Sequence, residues 1–195
     1  MATTPSSSNL LTRREALSRV SLLLGGAALV GESAWLAAEA APASKSLFSA
    51  SEVTLLDEIA DTILPTTSTP GAKAAGVGPF IAVMVTDVYD AQQQKVFRAG
   101  LVTLERECRK QSGAAFMACT PAQRTALLER LDAEQYAQRN SGIPHYFRML
   151  KELTLLGYFT SEIGYTQAMR YTETPGRFDP CVPYAAGEKS WAPHA

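Results

Sequence analysis

The sequence predicts a mainly α-helical protein, with a single small helical domain of about five to six helices and an extended C-terminal tail rich in proline and glycine. Three observations support this prediction. Apolar residues recur at the spacing of a helix face, several segments begin with a capping pattern, and no alternating pattern with hairpin turns indicates strands. The 195 residues, 46% of them hydrophobic, suffice for one domain with a core and a targeting segment.

The first helix is predicted to begin after Ser49, because Glu52 three residues later completes a capping box. Its apolar positions follow at helical spacing: Val53, Leu56, Ile59, Ala60, Ile63 and Leu64. Pro65 is expected to end this helix. Residues 65–79 contain many prolines and glycines, which break both helices and strands, and we therefore expect an ordered surface loop there.

A second, largely buried helix is predicted over residues 80–89. The residues of this helix that we expect to face the core are Val83, Met84 and Val88. A third helix is predicted from Asp90, with Gln93 completing its capping box, to about Gln111, and Gly113 ends it. Its apolar stripe consists of Val96, Phe97, Leu101, Leu104 and Cys108.

The clearest helix start in the chain is the run from Thr120 to Gln123, which combines an N-cap, a first-turn proline and a capping-box glutamine. This fourth helix is predicted to extend to about Arg139. A fifth helix follows Pro144, and its apolar positions are Met149, Leu150, Leu153 and Leu156.

A short sixth helix is predicted toward Arg170, with Thr160 or Ser161 as its cap. The helical domain therefore spans residues 51–171, after a linker over residues 41–50. Residues 172–195 contain too few apolar residues between prolines and glycines to build a core of their own, and we expect this tail to bind a partner.

The N-terminal segment has the layout of an export signal. The paired arginines Arg13 and Arg14 precede an apolar run of about 11 residues, roughly 16 Å as a helix, whereas a bilayer span takes about 20 residues. Small residues offer a cleavage site between Ala40 and Ala41. Residues 1–40 are therefore predicted to be a twin-arginine signal peptide that sends the protein to the periplasm.

The motifs of catalysis and cofactor binding are not found in the sequence. His145 and His194 have no metal ligands at a suitable spacing, no Cys-x-x-Cys-His motif for haem occurs, and dinucleotide and phosphate-binding motifs are missing. Asp57, Glu58 and Asp61 are interpreted as a solvated helix face. The net charge of -1 argues against nucleic-acid binding. We therefore predict no catalytic, cofactor-binding or metal-binding residue in this chain.

The three cysteines allow three different intramolecular pairings and leave one thiol over. Cys108 and Cys119 are a candidate disulfide, because an oxidising periplasm lets disulfides persist. Cys181 lies in the tail and is expected to reach a partner. A bridge from Cys181 back to its own domain, or a buried thiol, remains open at this point.

Two segments resemble a known family. Residues 62–77, with the sequence TILPTTSTPGAKAAGV, and residues 155–171, beginning LLGYFTSEIG and followed by PGRF at 175–178, are similar to the gluconate 2-dehydrogenase subunit 3 family. The resemblance extends over nearly the whole chain after the signal peptide.

The resemblance implies a non-catalytic accessory subunit of a periplasmic flavoprotein dehydrogenase that oxidises sugars, sugar acids or related alcohols. FAD is then expected in the large subunit, and none in this chain. The implied partners are that large subunit, the twin-arginine translocase and, in many members, a multihaem cytochrome c. Through this complex the chain is also expected to reach the membrane. The candidate interface residues are Tyr158, Phe159, Tyr171, Arg177, Phe178 and Cys181.

Two other functions remain open from the sequence. The chain is alternatively a stand-alone periplasmic enzyme, or a binding module whose uncleaved signal tethers it to the membrane. The substrate of the complex is not readable from this chain, because it belongs to the large subunit.

Overall fold

The computed structural model describes residues 46–140, 142, 144–174, 176, 181 and 183–192. The predicted functional residues that lie outside this part of the chain are Arg13, Arg14, Ala40, Ala41, Arg177 and Phe178. In the described ranges the regular elements are helices, and a single isolated bridge pairs Arg170 with Trp191. The prediction of a mainly α-helical domain is confirmed.

Five α-helices form the domain: α1 (Ala50–Ile63), α2 (Val77–Asp87), α3 (Ala91–Ser112), α4 (Pro121–Ala137) and α5 (Tyr146–Phe159). A 3₁₀ turn at Phe116–Ala118 precedes α4. The predicted sixth helix is a π-helical turn at Gly164–Ala168, with Ile163 at its N-cap and no side-chain cap. The Ser161 hydroxyl accepts a hydrogen bond from Gly164 N (3.1 Å). None of the helices in the described ranges is long and apolar enough to cross a membrane.

The predicted helix starts of α1, α3 and α4 are confirmed. Ser49, Asp90 and Thr120 each accept a hydrogen bond from the backbone N–H three residues later, and the side chain at that position bonds back to the cap residue. Gly113 ends α3 with φ 74°, a conformation that glycine adopts without strain. Local sequence signals therefore define these boundaries.

The face that α2 buries differs from the prediction. The helix begins at Val77, and its buried apolar residues are Val77, Ile81, Ala82 and Val85. Val83 and Val88 are 56% and 63% exposed, so their predicted place in the core is wrong, whereas Met84 packs against the core. Because α2 is apolar on every side, periodicity alone does not indicate which side its neighbours cover.

The helix α5 lies among the other four and packs against each of them. Met149, Leu150 and Leu153 are buried as predicted, but Leu156 is 46% exposed, which corrects its predicted place on the core stripe. Close packing requires glycine at Gly100, where an added Cβ would lie 2.2 Å from the Tyr146 ring. The contact between α3 and α5 therefore depends on a missing side chain.

We expect Gly100→Ala to lower the free energy of unfolding by about 1–3 kcal/mol, because the new methyl group overlaps Tyr146 near its backbone, where rotation gives little relief. At an unconstrained helix position the same change would stabilise by about 1 kcal/mol. Urea unfolding followed by circular dichroism measures the difference. Lys95→Ala, an exposed change on the same helix, is the control, and a Gly100→Ala protein as stable as that control would contradict the packing described here.

Candidate partner-binding site

Carboxylates of α1 bind the backbone of the loop between α1 and α2, residues 64–76, and of the first turn of α2. Asp57 Oδ1 accepts a hydrogen bond from Gly78 N (2.9 Å), and Asp61 Oδ1 accepts one from Lys73 N (3.3 Å). The interpretation of these acids as a solvated face is therefore wrong. Their partners lie 12 and 21 residues further along the chain, beyond the reach of local pattern analysis.

Two glycines allow these carboxylates to approach the backbone. A Cβ at Gly71 would lie 2.5 Å from Asp61 Oδ1, and a Cβ at Gly78 would lie 2.4 Å from Asp57 Oδ1. A side chain at Gly71 would push α1 and the loop apart, and one at Gly78 would push α1 and α2 apart, because real Cβ atoms do not approach other atoms this closely. Gly71 therefore allows close packing of α1 against the loop, and Gly78 allows close packing of α1 against α2.

Glu58 joins the loop to α4. It forms ion pairs with Lys73 (3.0 Å) and with Arg124, and the Glu58 and Arg124 side chains are only 20% and 13% exposed. Arg124 also donates to Phe116 O (3.0 Å) and Met117 O (2.9 Å). The hydrogen bond from Lys73 lowers the pKa of Glu58, the Arg124 charge lowers it further, and burial opposes both.

Tyr158 belongs to the core. Its side chain is 4% exposed, and its hydroxyl donates its one proton to Pro70 O at 2.8 Å and lies 3.4 Å from Thr69 Oγ1. The prediction that Tyr158 contacts a partner is wrong, because the 64–76 loop already covers it. Tyr158 therefore provides a second attachment of this loop, from α5.

Exposed apolar side chains of the described residues lie on α2, α3, α4 and the 3₁₀ turn, and a further group lies near the end of α5 and in the tail. We call this last group the C-terminal apolar residues: Leu156, Phe159, Tyr171, Tyr184 and Trp191. The Phe159 ring packs edge-to-face on Tyr158 (5.2 Å between centroids), and Tyr171 packs in the same way on Tyr165 (5.8 Å). Two of these exposed rings are therefore held by neighbouring aromatic residues of the chain.

The tail returns to the helical domain near its end. Arg170 N donates to Ser190 O (2.9 Å), Ala192 N donates to Arg170 O (2.8 Å), and the Arg170 guanidinium lies 4.7 Å from the centre of the Trp191 ring. Arg170 also lies 3.8 Å from the Glu188 carboxylate. Residues 183–192 are thus attached to the domain, which the sequence gives no reason to expect. Cys181 is exposed in the segment that this contact closes.

Cys108 and Cys119 are both buried thiols, and their Sγ atoms lie 3.2 Å apart. A disulfide bond measures about 2.05 Å, so the structure contains no bond between them. The predicted disulfide is therefore not shown, although the turn between α3 and α4 brings the two cysteines together.

Among the described residues, no group of three His, Cys, Asp or Glu side chains lies close enough together to hold a metal ion.

His145 caps α5, because its Nδ1 accepts a hydrogen bond from Phe147 N (3.3 Å), and its Nε2 lies 3.8 Å from Glu134. His145 therefore has a structural role at the start of α5. A shallow groove of about 350 Å³ lies between α1 and α3, with Leu101 and Val102 among its lining residues.

We expect Glu58→Gln to lower the free energy of unfolding by about 1–2 kcal/mol at neutral pH, because Arg124 and Lys73 lose a charged partner. The folded-state pKa of Glu58 lies below its unfolded value, so its contribution is complete above the unfolded pKa and is lost as the pH falls through the folded pKa.

The stability difference between the two proteins should therefore shrink below about pH 4, as urea unfolding at a series of pH values will measure. Glu129→Gln, at an exposed position of α4, is the control and should leave stability nearly unchanged. A difference of the same size at acid and neutral pH would contradict the role given to Glu58.

A comparison with known protein families shows to which family the chain belongs. The family described as gluconate 2-dehydrogenase subunit 3 matches residues 50–176, which include α1 to α5, the 64–76 loop and the π-helical turn. No curated protein and no solved structure matches the chain. Because the match covers more than half of the sequence, the chain belongs to the gluconate 2-dehydrogenase subunit 3 family.

Proposed function

We propose that this chain is the non-catalytic accessory subunit of a periplasmic FAD-dependent dehydrogenase that oxidises sugars or sugar acids. The observation that carries the proposal is the family match over residues 50–176, since a subunit 3 implies a dehydrogenase complex. In this proposal the flavin and the substrate bind to the large subunit. The chain contributes a binding surface, stability for its partner and the export signal.

The surface chemistry of the helical domain supports a protein partner. Leu156 and Phe159 are exposed near the end of α5. Apolar and aromatic side chains that lose contact with water contribute most of the binding energy at the centre of protein interfaces. The same helix contributes Tyr158, which holds the 64–76 loop, so these two exposed residues stand on a well-packed element. Binding therefore requires little ordering of α5.

The tail adds a second part to the proposed interface. Tyr171 and Tyr184 are exposed in it, Cys181 is an exposed thiol, and the contact between Arg170 and Trp191 attaches the segment to the domain. Arg177 and Phe178, which lie outside the described residues, stay in the proposal on the strength of the sequence alone. A segment attached at both ends loses less conformational freedom on binding than a free tail does.

The export role rests on Arg13 and Arg14. A twin-arginine signal on a chain without a cofactor motif is explained if the signal exports a folded partner that carries the flavin. The proposed partners are therefore the flavoprotein large subunit and the twin-arginine translocase. A multihaem cytochrome c is the third subunit that this arrangement accommodates, and it would bring the complex to the membrane.

We expect the double substitution of Leu156→Gln and Phe159→Gln to raise the Kd for the flavoprotein by about tenfold or more, because both apolar contacts are lost. Glutamine favours helix, but the Phe159 ring also packs on Tyr158, so the isolated chain should stay folded with a slightly lower thermal midpoint. Binding is measured by capture of the flavoprotein on the tagged mature chain, with flavin absorbance as the readout.

The matched control is Tyr136→Gln, which removes an exposed aromatic side chain from α4. This variant should bind the flavoprotein as the unchanged chain does. Equal capture by the double variant and the unchanged chain would contradict the placement of the interface on α5. Capture of no flavoprotein by the unchanged chain would contradict the proposed function itself.

A further inference from the structure

The turn between α3 and α4 holds two cysteines in a fixed arrangement. Cys108 lies on the last turns of α3 and Cys119 directly precedes the N-cap of α4, with their Sγ atoms 3.2 Å apart. The backbone between them is well ordered by hydrogen bonds: Gly113 N donates to Arg109 O (2.9 Å), and Cys119 N donates to Phe116 O (3.2 Å). The two thiols are therefore brought together by the fold itself.

The two sulfur atoms lie only slightly farther apart than in a disulfide bond. A disulfide requires the sulfurs to approach by about 1.2 Å more, which modest rotation of two side chains can provide. Ser112 fills the space beside them, with its Oγ 3.0 Å from Cys119 Sγ. The two cysteines are therefore close enough for a disulfide to form with a small movement of their side chains.

We propose that Cys108 and Cys119 form an intramolecular disulfide after export, and that this bond locks the turn before α4. The inference rests on the proposed periplasmic location, because disulfides persist in oxidising compartments. The thiolate of one cysteine attacks a disulfide of an oxidising dithiol protein or a small disulfide, the donor's S–S bond breaks, a mixed disulfide forms, and the donor's other sulfur leaves as a thiolate. The second thiolate of the chain then displaces the remaining donor sulfur, so that the chain loses two protons and two electrons and the donor disulfide becomes two thiols.

The folded chain reaches the periplasm with both thiols reduced if it travels by the twin-arginine route. Burial raises the pKa of the Cys108 thiol, and the neighbouring Cys119 raises it further, so the thiol form is favoured in the folded chain. Attack on a donor therefore requires a local opening of the turn. Gly113 and Met117 are exposed there, which makes this turn the nearest route from the surface to the pair.

The bond would act on the attachment of the 64–76 loop. Phe116 lies between the two cysteines, and its carbonyl accepts a hydrogen bond from Arg124, which pairs with Glu58. Fixing the 108–119 segment therefore fixes the Arg124 partner, in addition to the loss of freedom that the cross-link imposes on the unfolded chain. The disulfide would therefore stabilise the domain only in the periplasm, where the domain binds its partner.

The test uses the mature chain with Cys181→Ser, which removes the exposed third thiol. After incubation with oxidised glutathione, the mass should fall by two hydrogens and alkylation under denaturing conditions should label no thiol. Peptides containing Cys108 and Cys119 should appear as a linked pair. The thermal midpoint should rise by on the order of 5 °C, and dithiothreitol should reverse the rise.

The control carries Cys108→Ser together with Cys181→Ser, and oxidised glutathione should give it no rise in thermal midpoint. Two thiols that remain open to alkylation, both when the oxidant is added to the folded chain and when the chain is refolded with it, would overturn the proposal. These measurements need no flavoprotein, so their outcome is independent of whether the chain captures one.

Discussion

The carboxylates of α1 accept hydrogen bonds from the 64–76 loop and from the first turn of α2, and this attachment joins α1 to α2, α4 and α5 through polar contacts. Asp61 bonds to Lys73 N in the loop, Asp57 bonds to Gly78 N in α2, and Glu58 continues the connection to Arg124 and α4. Bonds between charged acceptors and backbone donors are stronger than those between neutral groups, and the bond of Asp57 is partly shielded from water. The hydroxyl of Tyr158 donates a hydrogen bond to Pro70 O and so attaches the loop to α5 as well.

This attachment explains the glycines and prolines of residues 64–78. The glycines admit the carboxylates at distances that no other residue tolerates, and the prolines and threonines shape a turn that α1 and α5 both contact. The exposed apolar residues near the end of α5 then stand on the same helix as Tyr158. A framework of this kind suits a subunit whose contribution to a complex is a surface.

Much of the fold follows from local sequence signals, because a capping box or a C-terminal glycine involves residues only a few positions apart. Asp90, Thr120 and Gly113 end or begin their helices where the sequence predicts. The errors have a common cause. The exposure of Val83 and the burial of Tyr158 depend on which neighbours cover them, and those neighbours are distant in sequence. The same holds for the contact of the tail with Arg170, whose partners lie some 20 residues away.

The candidate site likewise contains features that the sequence predicts and features that it does not. The exposed positions of Phe159, Tyr171 and Cys181 agree with their predicted accessibility, but whether they contact a partner is a matter for experiment. The pair Cys108 and Cys119 is one of the three pairings that the sequence allows, and the sequence alone does not indicate which two cysteines lie together. The role of Glu58 was not predictable, since its partner on α4 lies 66 residues away.

The most direct measurement of the central claim is the composition of whatever the tagged mature chain captures from its native periplasm. Native mass spectrometry and visible absorbance of the purified material give its stoichiometry and its cofactor. The account predicts an equimolar complex with a flavin-containing protein. A solitary, colourless chain, obtained under conditions that preserve complexes, would contradict it.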